Sequence, residues 1–267
     1  MRAEGAERAV RRQPDQLIVE EPLTIRLDEA IVATTMRTPG HDFELAVGFC
    51  HTDGLLAGAP VTTVRYCSAT SASGGSAAPV AEPTPQQYNT VTVVTGGAAP
   101  TPTARLTATT SSCGWCGNTQ LDELSARLTP LPEHGPVDLD LIERIPEVVA
   151  PHQTLFAATG AVHAAAAFTP AGEVLHVRED VGRHNAVDKV IGALLLAGEL
   201  PATGLGLFVS SRASVEIVHK AWAAGFAMLV AVSAPTELAV RAARRANLVL
   251  AGFVRPGGCN LYSPERL

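Results

Sequence analysis

Hydrophobic and polar positions alternate early in the chain, which predicts strands in this region. Residues 17–37 are rich in β-branched side chains and alternate with a period of two, as half-buried strands do. Two shorter runs of the same character predict strands at 61–66 and 88–95. Between the first two of these regions, apolar side chains recur at helical spacing and share one face. They are Phe43, Ala46, Val47 and Cys50. The first half therefore predicts several strands and one amphipathic helix.

The pattern changes in the second half, where short apolar runs alternate with helical patterns. The runs at 204–210, 227–233 and 248–254 are apolar at most positions, and the last of them is the last predicted strand. Two earlier runs, 160–168 and 173–180, are predicted to be either paired strands or a helix edge and a strand. Apolar strands that alternate with helices indicate a largely parallel sheet covered by helices on both faces.

These patterns divide the chain into three parts. Residues 1–16 are polar and predicted to be loose, residues 17–137 are predicted to form a smaller α+β domain, and residues 138–267 an α/β domain. The segment 68–87 is rich in Ser, Gly, Ala and Pro, and a second loose patch is predicted at 96–103. Because such composition is typical of flexible linkers, we expect a surface insertion at 68–87.

Composition narrows the class of protein. The chain has 267 residues, 46% hydrophobic content and a formal net charge of -6, which describes a folded protein without the basic face of a nucleic-acid binder. Its longest apolar stretch, 223–232, is well short of the roughly 20 residues that a membrane-spanning helix needs. The first residues lack the apolar core of a signal peptide. We therefore expect a cytoplasmic protein that binds neither nucleic acid nor membranes.

Cysteine chemistry is the sharpest local signal. Five cysteines, an odd number, do not form a disulfide framework in a reducing compartment. Cys113 and Cys116 lie in a CGWCG motif, whose glycines leave both thiols open to a partner. One alternative is half of a zinc site, but the other three cysteines are scattered singly and supply no second ligand pair. Another is a thioredoxin-like motif, although a Thr/Ser-rich loop at 107–112 precedes it instead of a strand. The motif alone leaves thiol chemistry and these alternatives open.

Polar clusters stand where predicted strands pass into helices. One cluster, 178–189, mixes both signs of charge and contains Arg183 and His184, and a second contains Ser211 and Arg212. In open α/β sheets ligands bind at such crossings, where backbone N–H groups and arginine side chains suit a phosphate. The alternative is that these residues only cap and solvate the starts of helices. If several helices begin on one sheet edge, the clusters predict a composite anion-binding rim.

Several long motifs resemble those of one known family. Besides CGWCG, they are RTPG at 37–40, REDVGRHNAVDKVIG at 178–192, SSRASVEIVHKAW at 210–222 and GFVRPGGCNLYS at 252–263. Together they are similar to the FdhD/NarQ family, the formate dehydrogenase accessory sulfurtransferases. The similarity runs through nearly the whole chain.

The resemblance implies a specific activity. Members of this family are understood to accept sulfur from a cysteine desulfurase as a cysteine persulfide. They pass it to molybdenum bis(molybdopterin guanine dinucleotide) before that cofactor enters formate dehydrogenase. By this resemblance Cys113 would carry the persulfide and Cys116 would be its partner, with no metal ligands and no permanently bound cofactor. A segment near the C-terminus would contact the molybdenum cofactor during a transient encounter: Phe253, Val254, Arg255, Pro256, Gly257 and Gly258.

The resemblance also implies a fold and an assembly. The larger domain of the family resembles cytidine deaminases, which predicts a three-layer domain with a mostly parallel sheet at 138–267, and a homodimer is expected. A zinc-dependent deaminase needs a His-x-Glu pair and a Pro-Cys-x-x-Cys segment. The corresponding His163-Ala164-Ala165 lacks the glutamate, so we exclude that activity. A chaperone that holds the cofactor without using its thiols stays an alternative.

Overall fold

The computed structural model describes residues 2–4, 9–11, 14–66, 88–102, 128–133 and 135–264. The strands among them are β1 (Arg2–Glu4), β2 (Ala9–Arg11), β3 (Glu21–Leu27), β4 (Ala30–Arg37), β5 (Thr63–Tyr66), β6 (Thr90–Val94), β7 (His163–Phe168), β8 (Val174–Asp180), β9 (Gly206–Val209), β10 (Met228–Ala231), β11 (Val249–Arg255) and β12 (Gly258–Ser263). The helices are α1 (Asp42–Thr52), α2 (Leu139–Val149), α3 (Thr154–Thr159), α4 (Arg183–Ala197), α5 (Val215–Ala224) and α6 (Glu237–Ala246). Within these ranges no helix is long and apolar enough to cross a bilayer.

The N-terminal sheet confirms the strands and the helix predicted for the first half. Its order is β4-β3-β6-β5, with β3 antiparallel to β4 and parallel to β6. Alternate residues of the central strands face one side, where α1 covers them, because period-two strands and an amphipathic helix each bury one face. The buried residues of this core include Leu23, Ile25, Val91, Val93, Ala46, Val47 and Cys50. Earlier in the chain, β1 and β2 pair as a short antiparallel ladder.

The second sheet has six strands in the order β12-β11-β10-β9-β7-β8. Of its five pairings, only β9 with β10 and β10 with β11 are parallel. The prediction of a mostly parallel sheet is therefore wrong, and the sheet is mixed. The physical reason is that an antiparallel strand buried on both faces has the same continuous apolar composition as a parallel one, so composition cannot tell them apart.

The last strand, β12, is an element that the sequence pattern did not predict. Its residues, GCNLYS, are only partly apolar, and Pro256-Gly257 is typical of a turn. In the structure this turn reverses the chain, and β12 pairs antiparallel with β11. The last predicted strand, 248–254, is therefore followed by a further strand, with which it forms a β-hairpin.

Helices cover both faces of the six-stranded sheet, as predicted. On one face α4, α5 and α6 pack against side chains such as Leu207, Leu229 and Leu250. On the other face α2 packs against the alternate side chains of the same strands, including Phe208 and Val230. The order is helices, sheet, helix. The likeness to cytidine deaminases and the boundary between residues 137 and 138 stay predictions.

A close helix crossing joins the two sheets. Gly48 of α1 lies against the backbone carbonyl of Asp188 in α4, and Gly192 of α4 lies against the carbonyl of Glu44 in α1. A Cβ atom at either glycine would overlap the backbone of the other helix. Because neither residue carries a side chain, α1 can bury one face on the N-terminal sheet and another on α4.

Some predicted features lie outside the described residues. These are the insertion at 68–87, the Thr/Ser-rich loop at 107–112 and the CGWCG motif. The predicted loose patch at 96–103 is described as far as residue 102. It begins as a turn held by Asp28, whose carboxylate accepts hydrogen bonds from Thr95 N at 2.8 Å and Thr95 Oγ1 at 2.6 Å.

Candidate functional site at one edge of the six-stranded sheet

Strand directions bring several loops to one edge of the six-stranded sheet. Strands β8, β9, β10 and β11 run in the same direction, and β7 runs in the opposite direction. Their carboxyl ends and the first residue of β7, His163, therefore meet at one edge. Helices α4, α5 and α6 begin just after β8, β9 and β10 at this same edge. We call this the sheet edge. It is formed by residues 160–163, 180–184, 210–216, 232–236 and 253–255.

Backbone contacts hold these loops against one another. Thr236 N donates to Ala213 O at 3.1 Å, which ties the loop after β10 to the loop after β9. Phe253 N donates to Ser233 O at 3.2 Å, which ties β11 to the loop after β10. These contacts place Phe253 beside the loop that leads from β10 into α6.

Most charged residues of the REDVGRHNAVDK motif are buried in a structural network behind the edge. Lys189 Nζ lies 2.7 Å from Asp180 Oδ2 and donates to Thr38 O at 2.9 Å. Asp180 also accepts hydrogen bonds from Thr38 N at 3.1 Å and from Asn185 Nδ2 at 3.0 Å. These contacts attach the RTPG segment to the start of α4. The side chains that make them hold the sheet edge in place and are not available to a ligand.

The remaining charged residues of the motif also connect elements. The guanidinium of Arg178 pairs with Glu44 of α1 through two nitrogens. The carboxylate of Glu179 accepts hydrogen bonds from the first N–H groups of α3, Leu155 N and Phe156 N, both at 2.8 Å. Asp188 pairs with Lys220 at 2.8 Å. Apart from Arg183 and His184, the charged residues of this motif therefore have structural roles and are not candidates for ligand contacts.

Arg183 and His184 are half-buried in the first turn of α4, at the sheet edge. His184 Nε2 lies 4.0 Å from Glu216 Oε2 in the first turn of α5. Burial raises the pKa of Glu216, but the Ser214 hydroxyl and the positive charges of His184 and Arg183 outweigh it, so the pKa is lowered overall. Burial and the charge of Arg183 together lower the pKa of His163. Arg183 therefore acts electrostatically on both sides of the edge.

The three helix starts differ in how they are capped. Thr236 Oγ1 accepts a hydrogen bond from Ala239 N at 3.2 Å, so the start of α6 is an ordinary N-cap. The N-cap residues of α4 and α5, Gly182 and Ser214, make no side-chain cap bond. Next to α5, Ser211 is buried and donates to Arg212 O at 3.2 Å, whereas the Arg212 side chain is exposed. The starts of α4 and α5 are the more open pair.

The six predicted cofactor contacts near the C-terminus differ in their exposure. Val254 is 1% exposed and belongs to the core between the sheet and α2, so it is unsuited to contact a ligand. Phe253 is 40% exposed and has φ of 52°, which is an outlier for a bulky residue and often marks a functional position. Arg255, Pro256 and Gly257 are exposed. Gly257 adopts φ of 76° in the turn, and the half-buried Gly258 begins β12.

The tip of this hairpin lies beside acidic side chains. Pro256 and Gly257 border a shallow cleft whose other wall is α2, with three carboxylates, of Asp140, Glu143 and Glu147, and one guanidinium, of Arg144, so its charge is negative on balance. Negative charge disfavours a phosphate at the turn itself. Candidate phosphate contacts are therefore concentrated at Arg183 and Arg212, away from the tip.

A deeper cleft opens at the sheet edge on the side of α2 and α3, and the sequence interpretation did not select it. Its volume is about 490 Å³, and its walls include Phe156, Val162, His163, Ser210 and Val232. The sequence signal was weak, since His163 was noted only within a motif and Phe156 is one apolar residue in a short helix.

The two described cysteines are poor nucleophiles. Cys50 is buried in the N-terminal core, and burial together with the charges of Asp53 and Asp188 raises its pKa. Burial and the nearby Glu143 also raise the pKa of Cys259. Only a thiolate attacks, so the raised pKa values disfavour nucleophilic attack by either residue. Cys67, Cys113 and Cys116 lie outside the described residues.

Metal ligands do not cluster in the part of the chain that the structure describes. Among those residues, no three His, Cys, Asp or Glu side chains come close enough together to hold an ion.

Comparisons with known proteins agree on one family. The model of the FdhD/NarQ family matches residues 18–267. A sulfur carrier protein FdhD of Streptomyces avermitilis is 43% identical over 96% of this chain and 90% of its own length. The FdhD protein of Nocardia farcinica is 45% identical over 95% of this chain and 88% of its own. A crystal structure described as a formate dehydrogenase accessory protein of Desulfotalea psychrophila has the same fold. Its TM-score is 0.70 at 21% identity, covering 95% of this chain and 91% of that one.

Proposed function

Because the chain belongs to the FdhD/NarQ family, we propose that it is a sulfur carrier that supports formate dehydrogenase and bears the sulfur on Cys113. The observation that carries this proposal is the family match along almost the whole chain, with relatives named as sulfur carriers at 43% and 45% identity. The CGWCG motif offers the two neighbouring thiols that the chemistry needs. The raised pKa values of Cys50 and Cys259 leave those residues as poor competitors.

Loading of sulfur is a thiol exchange. The Cys113 thiolate attacks the outer sulfur of a persulfide on a cysteine desulfurase, which forms a persulfide on Cys113 and releases the thiolate of the donor. No net oxidation occurs, since one sulfur–sulfur bond breaks as another forms. A cysteine desulfurase is therefore the proposed donor.

Delivery uses the second thiol. Attack of the Cys116 thiolate on the inner sulfur forms a Cys113–Cys116 disulfide and releases the outer sulfur as hydrosulfide to the acceptor. Reduction of that disulfide by a cellular dithiol returns the carrier to its starting state. The proposed acceptor is molybdenum bis(molybdopterin guanine dinucleotide), the cargo delivered to formate dehydrogenase.

The sheet edge suits the phosphates of that cargo. The start of α4, after the N-cap residue Gly182, presents backbone N–H groups without a side-chain cap, and Arg212 adds an exposed guanidinium. Phe253 offers an exposed ring on the same edge. We place the cargo here, with transient binding, in a cytoplasmic homodimer.

A cofactor-holding chaperone is the second candidate, because the sheet edge exists independently of the cysteine pair. It would bind the same cargo without carrying sulfur, so activity would survive loss of the thiols. The two functions differ in their dependence on Cys113.

Formate dehydrogenase activity in cells that lack the native carrier distinguishes them. We expect activity to be restored by the wild type and by the control Cys259→Ala, but not by Cys113→Ala at equal protein level. Full restoration by Cys113→Ala would contradict the sulfur-carrier function and favour the chaperone. Loss of activity in a folded Cys259→Ala variant would instead indicate that Cys259 takes part in the sulfur chemistry.

A further inference from the structure

A second cleft lies at the end of the molecule opposite the sheet edge. It is bounded by the loop at 54–61 after α1, by the C-terminal halves of α4 and α5, and by Leu128, and its volume is about 540 Å³. Helices that follow parallel strands end near the amino ends of those strands. The 15 residues of α4 therefore separate this cleft from the sheet edge by about 20 Å. We call it the amino-end cleft.

The lining of the amino-end cleft is mostly apolar and carries no formal charge. No Asp, Glu, Lys or Arg stands among the described residues that line it, and Leu128, Leu195 and Leu200 contribute large apolar side chains. Its ionisable residues are His51 and His219. Burial lowers the pKa of both, so the two imidazoles are neutral at pH 7. An uncharged apolar concavity is stabilised when an apolar side chain of a partner displaces water from it.

Small residues leave one side of the cleft open to a protein partner. Ala57 and Gly58 are exposed in the loop at 54–61 and adopt left-handed conformations, with φ of 47° and 84°. A Cβ atom at Gly58 would meet no other atom within 4 Å. A partner can therefore approach the cleft across this loop.

The cleft also lies where the chain re-enters the described structure after the CGWCG motif. Leu128, which lines the cleft, is the first described residue after residues 103–127. The neighbouring Thr129 accepts a hydrogen bond from Trp222 Nε1 at its carbonyl oxygen, at 2.7 Å. This end of the segment is therefore fixed to α5, beside the cleft.

The other end of the segment approaches the same cleft. Val61 lines the cleft, and Thr62 N donates to Val94 O at 2.8 Å. Ala99 N donates to Thr95 Oγ1 at 3.1 Å, and Ala99 packs against the same N-terminal core as Val61. The chain that contains the CGWCG motif is thus joined to the fold at both ends near the amino-end cleft.

We propose that the amino-end cleft is the surface on which the sulfur donor docks, by inserting an apolar side chain of the protein loop that bears its cysteine persulfide. This inference rests on the proposed function, in which the Cys113 thiolate attacks the outer sulfur of that persulfide. Docking here brings the donor to the chain ends that flank the CGWCG motif. It also leaves the sheet edge free for the cargo, so loading and delivery use opposite ends of the molecule.

Ala57 offers a matched pair of substitutions for a test. It lines the cleft, is exposed and has a left-handed backbone, which Asn and Asp adopt more readily than other residues with a side chain. Ala57→Asp and Ala57→Asn should therefore both fold, and they differ by one charge at nearly equal size. A carboxylate that a docked partner must bury opposes docking much more than a neutral amide does.

The rate of sulfur loading on the full chain, followed by intact mass, tests the proposal with two donors. One donor is a cysteine desulfurase with cysteine, and the other is glutathione persulfide, whose outer sulfur passes to Cys113 as the glutathione thiolate leaves. We expect Ala57→Asp to raise the desulfurase concentration at half-maximal rate about tenfold and to leave the maximal rate unchanged. Loading from glutathione persulfide should be unchanged, and Ala57→Asn should stay within about threefold of the wild type with either donor.

Three results would overturn the proposal and leave the sulfur-carrier function intact. If Ala57→Asp loads from the desulfurase like the wild type, the donor docks elsewhere. If Ala57→Asp slows loading from both donors equally, the cleft acts on the reactive thiol and not on the donor. If Ala57→Asp changes only the oligomeric state, measured by light scattering, the cleft is an interface between copies of this chain. A wild type that loads from neither donor would contradict the proposed function itself, and the docking surface with it.

Discussion

At the residue scale, the charged side chains of the REDVGRHNAVDK motif differ in burial. Asp180 and Lys189, 0% and 1% exposed in their side chains, fix the RTPG segment to the start of α4. Arg183 and His184, only a few positions away, are half-buried at the sheet edge. The motif therefore includes two kinds of residue that its sequence alone does not distinguish.

Removal of the Lys189 charge is predicted to destabilise the fold. Lys189→Met leaves the Asp180 carboxylate buried without its cation, and breaking a buried pair in this way typically costs about 3–5 kcal/mol. Urea unfolding measures the change. As a control, Glu29→Ala breaks the surface pair of Arg26 and Glu29 at 3.7 Å and should change the free energy of unfolding by no more than about 1 kcal/mol. Equal effects of the two variants would refute a structural role for the buried pair.

Protonation of His219 is predicted to destabilise the protein in acid. Burial, together with the charge of Lys220, lowers the pKa of His219 from its ordinary value of 6.5 to about 4. The unfolded chain therefore binds more protons between these values, so stability decreases as the pH falls from 6.5 towards 4, by at most about 1.4 kcal/mol per pH unit from this group. Urea midpoints across this range should fall less steeply in His219→Gln. An unchanged pH dependence would rule out His219 as a contributor.

At the element scale, strong periodicity was informative and mixed composition was not. Helix α1 was predicted from apolar residues at helical spacing and strands β9, β10 and β11 from continuous apolar runs, and most of these apolar residues are buried in the structure. Strand β12 was missed because its side chains are half-buried and mixed in character. Strand direction was also missed, since pairing depends on which distant segments meet and not on the local pattern.

The crossing of α1 and α4 makes a prediction about packing. Gly192→Ala places a methyl group against the backbone of Glu44, so the helices must separate, and overpacking of this kind costs about 1–3 kcal/mol. Leu196→Ala, on the same helix but 47% exposed, should change stability by about 0.5 kcal/mol or less. Thermal unfolding of the two variants measures the difference. A fully stable Gly192→Ala variant would show that the two helices do not pack this closely.

At the scale of the whole molecule, we propose that the fold supplies a binding surface and that the cysteine motif supplies the reaction. The meeting of several helix starts at one edge was predictable, because strand-to-helix crossings lie at the carboxyl edge of an α/β sheet. The cleft beside Phe156 and His163 was not predictable, since it is formed by α2, α3 and three strands that are distant in sequence. The roles of Cys113 and Cys116 still rest on the family resemblance and stay predictions.

The most direct test of the central claim is the intact mass of the protein after incubation with a cysteine desulfurase and cysteine. We predict that the wild type gains the mass of one sulfur atom, that a thiol reductant removes it, and that Cys113→Ala gains nothing. Because Cys259 has a raised pKa, Cys259→Ala should load like the wild type. Normal loading of Cys113→Ala would contradict the assignment of Cys113 as the residue that carries sulfur.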